Sequence, residues 1–313
     1  KISVDDYNKA CREAVMRYTD VWNDLTRKMG YWVDMDNPYI TYESKYMESV
    51  WWLLGQIYEK ELMYKGYTIQ PYSPKAGTGL SQNEINQPGC YRDVTDTTCI
   101  AQFKIEQSSL GQLEVDGLDE AFFLAWTTTP WTLPSNTALA VGPNVDYLLI
   151  ETYNKYAHKN VKVILAESLL DSVVKPLNIN TLFKQLQHQD PLYDGDYMEW
   201  AKHIVENQKV IIKRFKGSEL VGIKYEQLLP YALPSKNPEE AFRVIPGNFV
   251  TTDDGTGIVH IAPTFGADDA LVAKQAEPEV PPMLVKDENG NLVPLVDLQG
   301  KFRPEMGEFV GKY

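Results

Sequence analysis

Residues that define several large protein classes are scarce in this chain. Cysteine occurs only three times in 313 residues, as Cys11, Cys90 and Cys99, and histidine only four times. An odd number of cysteines with no close pair argues against a disulfide framework, so we expect a reducing, cytoplasmic location. The histidines and cysteines do not have the spacing of a zinc site. We therefore expect no metal at the functional site.

Long apolar runs and an excess of positive charge are also missing. No stretch approaches the roughly 20 apolar residues that a membrane-spanning helix needs, so we expect no contact with a membrane. The 30 lysines and arginines are outnumbered by 43 aspartates and glutamates, which gives a formal net charge of −13. This balance opposes non-specific binding to nucleic acid, because phosphate contacts need cations, but it leaves room for a local basic patch.

The N-terminal part of the chain has helical periodicity. Residues 3–28 are predicted to form one amphipathic helix, which Ser3 caps at its N-terminus. Residues 43–64 are predicted to form a second helix, with Gly66 as its C-terminal cap. We interpret the apolar stripe of this second helix as part of a hydrophobic core.

Beyond residue 69 the pattern changes to short apolar runs separated by turn signals. Glycine, proline, asparagine and serine are dense in residues 71–90, which favours a linker or a loop-rich crossing. The predicted strands are 98–105, 121–126, 138–141, 147–152, 161–166, 210–215, 243–250 and 257–261, and the predicted helices are 167–174, 196–206 and 267–277. Irregular strand spacing with few helices predicts a mixed α/β fold, a β-barrel-like domain with flanking helices rather than a doubly wound sheet.

The first candidate functional stretch follows one of these strands and reads Trp126-Thr-Thr-Thr-Pro-Trp-Thr-Leu-Pro-Ser-Asn136. Pro130 removes a backbone donor and so ends the strand. The three threonines before it are either strand and turn formers or a row of hydroxyls that can hold a carbonyl, a ribose hydroxyl or a water. Asn136 is likewise either a turn residue or an amide that binds a ligand.

The second candidate stretch reads Gly255-Thr-Gly-Ile-Val-His-Ile-Ala-Pro-Thr-Phe-Gly-Ala-Asp-Asp269. His260 lies in the predicted strand, where a lone histidine is more often structural. Asp268 and Asp269 come at the start of the predicted helix, where a carboxylate complements the helix N-terminus. Two adjacent aspartates rarely both serve as caps, so one of them is a candidate for the site; the pattern does not choose between them.

Nucleotide-binding motifs are approached but not completed. The segment 255–260 begins like a dinucleotide fingerprint but has His260 where the third glycine belongs. The segment 307–313 is one residue short of a P-loop and lacks the following serine or threonine. There is no Gly-x-Ser-x-Gly nucleophile elbow. A nucleotide-binding enzyme is therefore a disfavoured interpretation.

The two stretches resemble the signature stretches of the editing domain (CP1) of the isoleucyl-tRNA synthetase family, an insertion in a class I catalytic fold. Valyl and leucyl relatives carry an arginine after two threonines, where this chain has Thr129-Pro130. The resemblance covers nearly the whole chain. It implies that residues 1–94 are a fragment of the catalytic domain and that residues 95–313 are the editing domain. The ATP-binding His-x-Gly-His and Lys-Met-Ser-Lys-Ser motifs are absent, so no aminoacylation is expected from this fragment, although its parent uses ATP and Mg²⁺.

The resemblance also implies roles for individual residues. Asp269 binds the α-ammonium group of the substrate, with Asp268 beside it, while His260 and Trp126 line the side-chain pocket. The residues expected around the aminoacyl ester and the terminal adenosine are Thr127, Thr128, Thr129, Thr132 and Asn136. Of all these residues, Asp269, Thr128 and Thr129 are the candidates for catalysis. Thr264-Phe265 stands where many relatives carry Gly-His, so the resemblance implies no role for a second histidine here.

These roles predict a hydrolase that removes valine from mischarged Val-tRNA(Ile), with valyl-adenylate as a second candidate substrate, by direct attack of water and without a cofactor. Discrimination of isoleucine from valine is the standard example of why such a second site is needed, because one methylene is worth only about 1–3 kcal/mol. The partners implied are the tRNA(Ile) acceptor end, the valine moiety and the rest of the parent synthetase. The alternative is a non-catalytic module that positions the acceptor end.

Overall fold

The computed structural model describes residues 2–64, 66, 68–189 and 195–313, apart from the side chains of residues 188 and 189. The chain divides into two compact units, Lys1–Tyr67 and Thr68–Tyr313. The division at residue 94 concerns the domains of a synthetase and stays a prediction. No helix in the described ranges is both long and apolar enough to cross a membrane.

The first unit is helical. Its helices are α1 (Val4–Met16), α2 (Thr19–Lys28) and α3 (Ser44–Glu59). The predicted cap is confirmed, because the Ser3 hydroxyl accepts the Asp6 backbone N–H at 3.1 Å. The prediction of one helix over residues 3–28 is wrong, because Tyr18 leaves the helical conformation (φ −116°, ψ 15°) and separates α1 from α2.

Helix α3 ends earlier than predicted. Glu61 adopts the left-handed conformation (φ 57°), its N–H donates to Tyr58 O, and the next N–H, of Leu62, donates to Ile57 O. This pair of bonds is a Schellman motif, and it closes the helix before Gly66 is reached. Among the described residues α3 buries no side chain, and Trp51 is 67% exposed. The interpretation of its apolar stripe as core is therefore wrong within this chain.

The second unit contains all twelve strands of the described residues and the short helices. Its helices are α4 (Gln82–Ile85), α5 (Gln107–Leu110), α6 (Leu170–Val173), α7 (Ile179–Gln189), α8 (Tyr197–Glu206), α9 (Gly217–Leu220) and α10 (Ala267–Gln275). Its strands are β1 (Tyr72–Ser73), β2 (Thr78–Gly79), β3 (Cys99–Lys104), β4 (Phe122–Thr127), β5 (Ala138–Val141), β6 (Asp146–Asn154), β7 (Lys159–Ala166), β8 (Val210–Lys216), β9 (Arg243–Pro246), β10 (Ile258–Ile261), β11 (Val285–Lys286) and β12 (Leu292–Val293).

Eight of these strands form one sheet in the order β8-β6-β7-β4-β10-β5-β9, with β3 also paired to β4. Strand β4 runs parallel to β7 and to β10, whereas β3 and β6 pair antiparallel with their neighbours. The sheet is curled and carries helices at its flanks, which confirms the predicted mixed α/β, barrel-like fold.

The sheet is covered on both faces. Along β6, Tyr147 and Leu149 belong to one hydrophobic cluster, and Leu148 and Ile150 belong to another. Since successive side chains of a strand point to opposite faces, each face of the sheet has its own core. A strand buried on both sides reads as a continuous apolar run, which is how the sequence reads here.

Only one helix of the pair α7 and α8 agrees with the prediction: residues 196–206 were expected to be helical and residues 179–189 were not. In α7, Leu182 and Leu186 are four residues apart and bury against Ala201 and Ile204 of α8. This spacing is the helical signal that the sequence does contain. The predicted helix 167–174 is instead a 3₁₀ turn followed by the short α6.

Gly217 offers a test of the packing at the start of α9. A Cβ at this buried position would overlap the Gly142 carbonyl oxygen and lie 2.9 Å from the Tyr147 ring. We expect Gly217→Ala to destabilise the protein by about 1–3 kcal/mol, measured as a lower urea midpoint at unchanged m-value. The control is Gly111→Ala, where no atom lies within 4 Å of the new Cβ. Equal midpoints for the two variants would contradict this packing.

Candidate functional site

A cavity of about 380 Å³ lies at the ends of β4 and β10. These two strands are parallel neighbours, with Trp126 opposite Val259, so the polar stretches that follow them reach the same edge of the sheet. The predicted site residues that line the cavity are Trp126, Thr127, Thr128, Thr129, Thr132, His260 and Asp269. The structure therefore brings most of the predicted site together.

Two predicted residues lie outside the cavity lining. Asn136 is 2% exposed and is placed behind His260. Asp268 is exposed on the first turn of α10. Contact of either side chain with a substrate stays a prediction.

The threonine row is shaped by the turn that follows β4. Thr127 ends the strand, and a 3₁₀ turn over Pro130–Ser135 folds the chain back. The Thr127 hydroxyl accepts the Thr129 backbone N–H at 3.0 Å, and the Thr132 hydroxyl donates to the Thr129 carbonyl at 2.8 Å. These side-chain bonds to the backbone replace the ladder that Pro130 interrupts. They leave Thr128 and Thr129 exposed toward the cavity.

The hydroxyls form a chain that ends on an imidazole. The distance between the Oγ1 atoms is 3.3 Å for Thr127 and Thr129 and 3.4 Å for Thr129 and Thr132. Thr132 Oγ1 lies 3.0 Å from Nε2 of His260. The last contact is a normal hydrogen bond, whereas the two contacts between hydroxyls are long.

His260 lines the cavity with a buried, uncharged imidazole ring. Its side chain is only 8% exposed, and burial lowers its pKa to about 4. Both ring nitrogens are engaged, since Nδ1 lies 2.8 Å from the Asn136 amide nitrogen and Nε2 contacts Thr132. A buried, neutral ring held on both sides presents bulk to a ligand and no positive charge.

A buried tyrosine that sequence analysis missed completes this network. Tyr225 is fully buried, and its hydroxyl donates to Asn136 Oδ1 at 2.6 Å. Tyr225 lies 89 residues from Asn136 in sequence and belongs to no motif, so only the pairing of distant segments reveals it.

Of the two aspartates of α10, Asp269 lines the cavity and Asp268 does not. Oδ2 of Asp269 accepts the Ala262 backbone N–H at 2.9 Å. Burial raises the pKa of Asp269, and Asp268 raises it further, while the Ala262 bond opposes both. No lysine, arginine or histidine of the described residues makes an ion pair with it. A cationic ligand would therefore meet an uncompensated carboxylate here.

Glycines permit two close approaches in the site. At Gly266, a Cβ would lie 2.6 Å from Cγ and Oδ2 of Asp269. Gly257 has φ +72°, and a Cβ there would overlap that of Ala166. Gly257 and its turn precede β10, whereas the glycines of a dinucleotide fingerprint follow a strand. The geometry thus removes the remaining support for nucleotide binding at this motif.

Three aromatic side chains at the cavity were not predicted as site residues. Trp131 and Phe265 meet edge to face, with ring centroids 5.1 Å apart, and Phe249 lies nearby in the lining. The described part of the chain has no group of three or more histidine, cysteine, aspartate or glutamate residues that could hold a metal.

Comparison with known proteins places the chain in a family. The family model for class I tRNA synthetases (I, L, M and V) matches residues 1–253. The isoleucine--tRNA ligase of Porphyromonas gingivalis is 54% identical over 303 residues, which cover 97% of this chain and 25% of that protein. The isoleucine--tRNA ligase of Cytophaga hutchinsonii is 52% identical over 317 residues, which cover 100% of this chain and 26% of that protein. The chain thus spans about a quarter of the length of these relatives.

Solved structures give weaker similarities. The GlLeuRS-CP1 crystal structure has a TM-score of 0.36 at 21% identity and covers 57% of this chain and 60% of its own. The editing domain of P. knowlesi cytosolic leucyl-tRNA synthetase has a TM-score of 0.31 at 12% identity and covers 52% and 55%. Neither similarity is large enough to bear on function. The sequence relatives confirm the resemblance found from the two motifs: the chain belongs to the class I tRNA synthetases and is similar over nearly its whole length to isoleucine--tRNA ligases.

Proposed function

We propose that this chain is the editing region of an isoleucyl-tRNA synthetase and hydrolyses the ester of Val-tRNA(Ile), with valyl-adenylate as a further substrate. The observation that carries the proposal is the cavity itself. It combines an unpaired carboxylate, a row of hydroxyls and a buried neutral ring, in residues that lie in two distant stretches of sequence. An aminoacyl ester has the complementary groups, namely an ammonium, a carbonyl and ribose hydroxyls, and an apolar side chain.

Each group of the cavity has a part in the proposed reaction. Asp269 binds the α-ammonium through a charge-assisted hydrogen bond and so fixes the carbonyl beside the threonine row. Thr128 and Thr129, with a ribose hydroxyl of the substrate, orient the water. The oxygen of this water bonds to the carbonyl carbon of the ester. The bond between that carbon and the ribose oxygen breaks, and a proton of the water passes to the ribose oxygen. The rate gain comes mainly from orientation.

His260 and Trp126 limit the size of the side chain that fits. The buried imidazole is held by two hydrogen bonds, so it cannot easily move aside for one more methylene. Valine would be accepted and isoleucine excluded by bulk, which is the complement of a synthetic site that cannot reject the smaller residue.

The remaining parts of the proposal concern context. No metal or organic cofactor takes part in the hydrolysis, and Cys11, Cys90 and Cys99 lie outside the cavity lining. ATP and Mg²⁺ belong to the aminoacylation reaction of the parent synthetase, in the cytoplasm. Docking of the tRNA acceptor end involves that parent, and residues 1–94 are the proposed part of its catalytic domain.

A non-catalytic module that only positions the acceptor end is the competing function. Both functions predict binding of the tRNA end, but only a hydrolase releases valine. Free valine from Val-tRNA(Ile) is therefore the direct readout, measured with the full chain, or with the chain in its parent protein, against spontaneous hydrolysis. Binding without release above the spontaneous rate would favour the positioning module.

The first prediction compares the two neighbouring carboxylates. Asp269→Asn keeps an acceptor for the Ala262 N–H but loses the charge that binds the ammonium, so we expect deacylation to fall by about 100-fold. Asp268→Asn removes an exposed charge outside the cavity and serves as the matched control, with an expected change within about twofold. Equal rates for both variants would refute the role of Asp269.

The second prediction concerns size exclusion. His260→Ala opens the side-chain pocket, so the variant should start to hydrolyse correctly charged Ile-tRNA(Ile), with the preference for the valyl ester reduced by about tenfold or more. The control is His203→Ala, which removes an exposed imidazole on α8, away from the lining. An unfolding curve checks that the loss of the Thr132 and Asn136 bonds leaves the fold intact. A folded His260→Ala protein that still ignores the isoleucyl ester would show that His260 is not the wall.

The third prediction concerns pH. Deacylation should fall in acid as Asp269 is protonated and loses the ammonium. Burial raises the pKa of the free carboxyl above its ordinary 3.8, and a bound ammonium lowers it again. The acid inflection of kcat/KM, which reports the free protein, should therefore lie at higher pH than that of kcat, which reports the complex. Coincident inflections would argue against an ammonium at Asp269.

A further inference from the structure

The hydroxyl of Tyr225 occupies a fixed position behind the candidate site. Its ring is fully buried and makes edge-to-face contacts with Phe103 (centroids 5.3 Å apart) and Phe242 (6.3 Å). The hydroxyl donates to Asn136 Oδ1 at 2.6 Å. Because two aromatic rings pack against it, the Tyr225 ring is held in place, and its hydroxyl has a fixed position from which to donate to the Asn136 amide.

The surroundings of Asn136 determine which way its amide faces. The amide nitrogen lies 2.8 Å from the Ala138 carbonyl oxygen and 3.5 Å from that of Ile261. Carbonyl oxygens only accept hydrogen bonds, so they favour the amide nitrogen on their side, and the Tyr225 hydroxyl, which donates to Oδ1, favours the amide oxygen on its own side. The reversed amide would set its oxygen against these carbonyls, and would leave the Tyr225 proton without its acceptor.

This orientation fixes the protonation of His260. The second N–H of the Asn136 amide points to Nδ1 of the ring at 2.8 Å, so Nδ1 accepts and carries no proton. The proton of the neutral ring is therefore on Nε2, which donates to Thr132 Oγ1 at 3.0 Å. Thr132 in turn donates its own proton to the Thr129 carbonyl.

The tautomer then sets the direction of the hydroxyl chain. Thr132 already donates to a carbonyl and accepts from the ring, so its remaining lone pair is available to the Thr129 hydroxyl, 3.4 Å away. With its proton directed to Thr132, Thr129 can accept from the Thr127 hydroxyl, 3.3 Å away, and keeps one lone pair for a ligand in the cavity. The opposite tautomer would draw the Thr132 proton to Nε2 and release the Thr129 carbonyl.

We propose that Tyr225 is a positioning residue, which acts through Asn136 to hold His260 as the Nε2–H tautomer and so makes Thr129 a hydrogen-bond acceptor for the attacking water. The effect on water rests on the proposed hydrolysis, whereas the tautomer does not. A merely structural tyrosine would contribute packing, which phenylalanine preserves. The distinctive consequence is a change in where the His260 proton lies.

The test compares Tyr225→Phe with Tyr153→Phe in the full chain. Tyr153 is also a buried tyrosine, 8% exposed, and its hydroxyl has no hydrogen-bond partner in the described residues, so it controls for the loss of a buried hydroxyl. Nitrogen-15 NMR of labelled histidine at neutral pH identifies which ring nitrogen of His260 carries the proton. We expect Nε2–H alone in the unmodified protein and in Tyr153→Phe, and an added Nδ1–H population in Tyr225→Phe.

Deacylation of Val-tRNA(Ile) provides the second measurement. We expect kcat of Tyr225→Phe to fall by about tenfold with little change in KM, because a water is misplaced while the ammonium contact is kept. An Nδ1–H ring in the unmodified protein, or an unchanged His260 spectrum in Tyr225→Phe, would overturn the proposal. An unchanged kcat despite a shifted tautomer would overturn the part that concerns the water. If the unmodified protein releases no valine, the proposed function fails while the spectra still decide the role of Tyr225.

Discussion

The site depends on one pairing, the parallel contact between β4 and β10 that sets Val259 opposite Trp126. It brings together two stretches that are far apart in sequence; Thr132 and His260, which share a hydrogen bond, are separated by 128 residues. Parallel strands deliver their carboxyl ends to the same edge of a sheet, so the threonine row and the histidine–aspartate stretch open into one cavity. A slip of one residue in this register would turn His260 to the other face.

The same pairing explains why a polar network can be buried here. Desolvated polar groups are costly unless every donor and acceptor is used. Tyr225, Asn136, His260 and Thr132 satisfy one another and three backbone carbonyls, so the low dielectric that would penalise an isolated group strengthens the chain of bonds. The network thus holds the imidazole neutral and in one orientation. Asp269 differs, because among the described residues its carboxylate has a single backbone donor and no cationic partner.

Sequence reasoning reached the fold class, the predicted strand 138–141 and the motif residues, because hydrophobic periodicity and local spacing encode them. It could not find Tyr225, whose role exists only through a partner 89 residues away. It assigned Asn136 to the lining, since spacing cannot tell whether a side chain faces the cavity or lies behind it. It also took the stripe of α3 for core, although no side chain of that helix is buried within this chain. An amphipathic pattern shows that one face of a helix packs against something, but it does not show whether the partner is in the same chain.

The charge pattern of the cavity has a consequence for turnover under the proposed function. An aminoacyl ester brings an ammonium and no carboxylate to Asp269, and the neutral His260 adds no competing positive charge. Hydrolysis converts the same amino acid into a zwitterion, whose new carboxylate lies near an anion in a partly dry site. Opposite charge near Asp269 favours binding and like charge opposes it, so the ester is held more tightly than free valine. The arrangement that orients the substrate therefore also weakens the binding of the amino acid that the reaction would release.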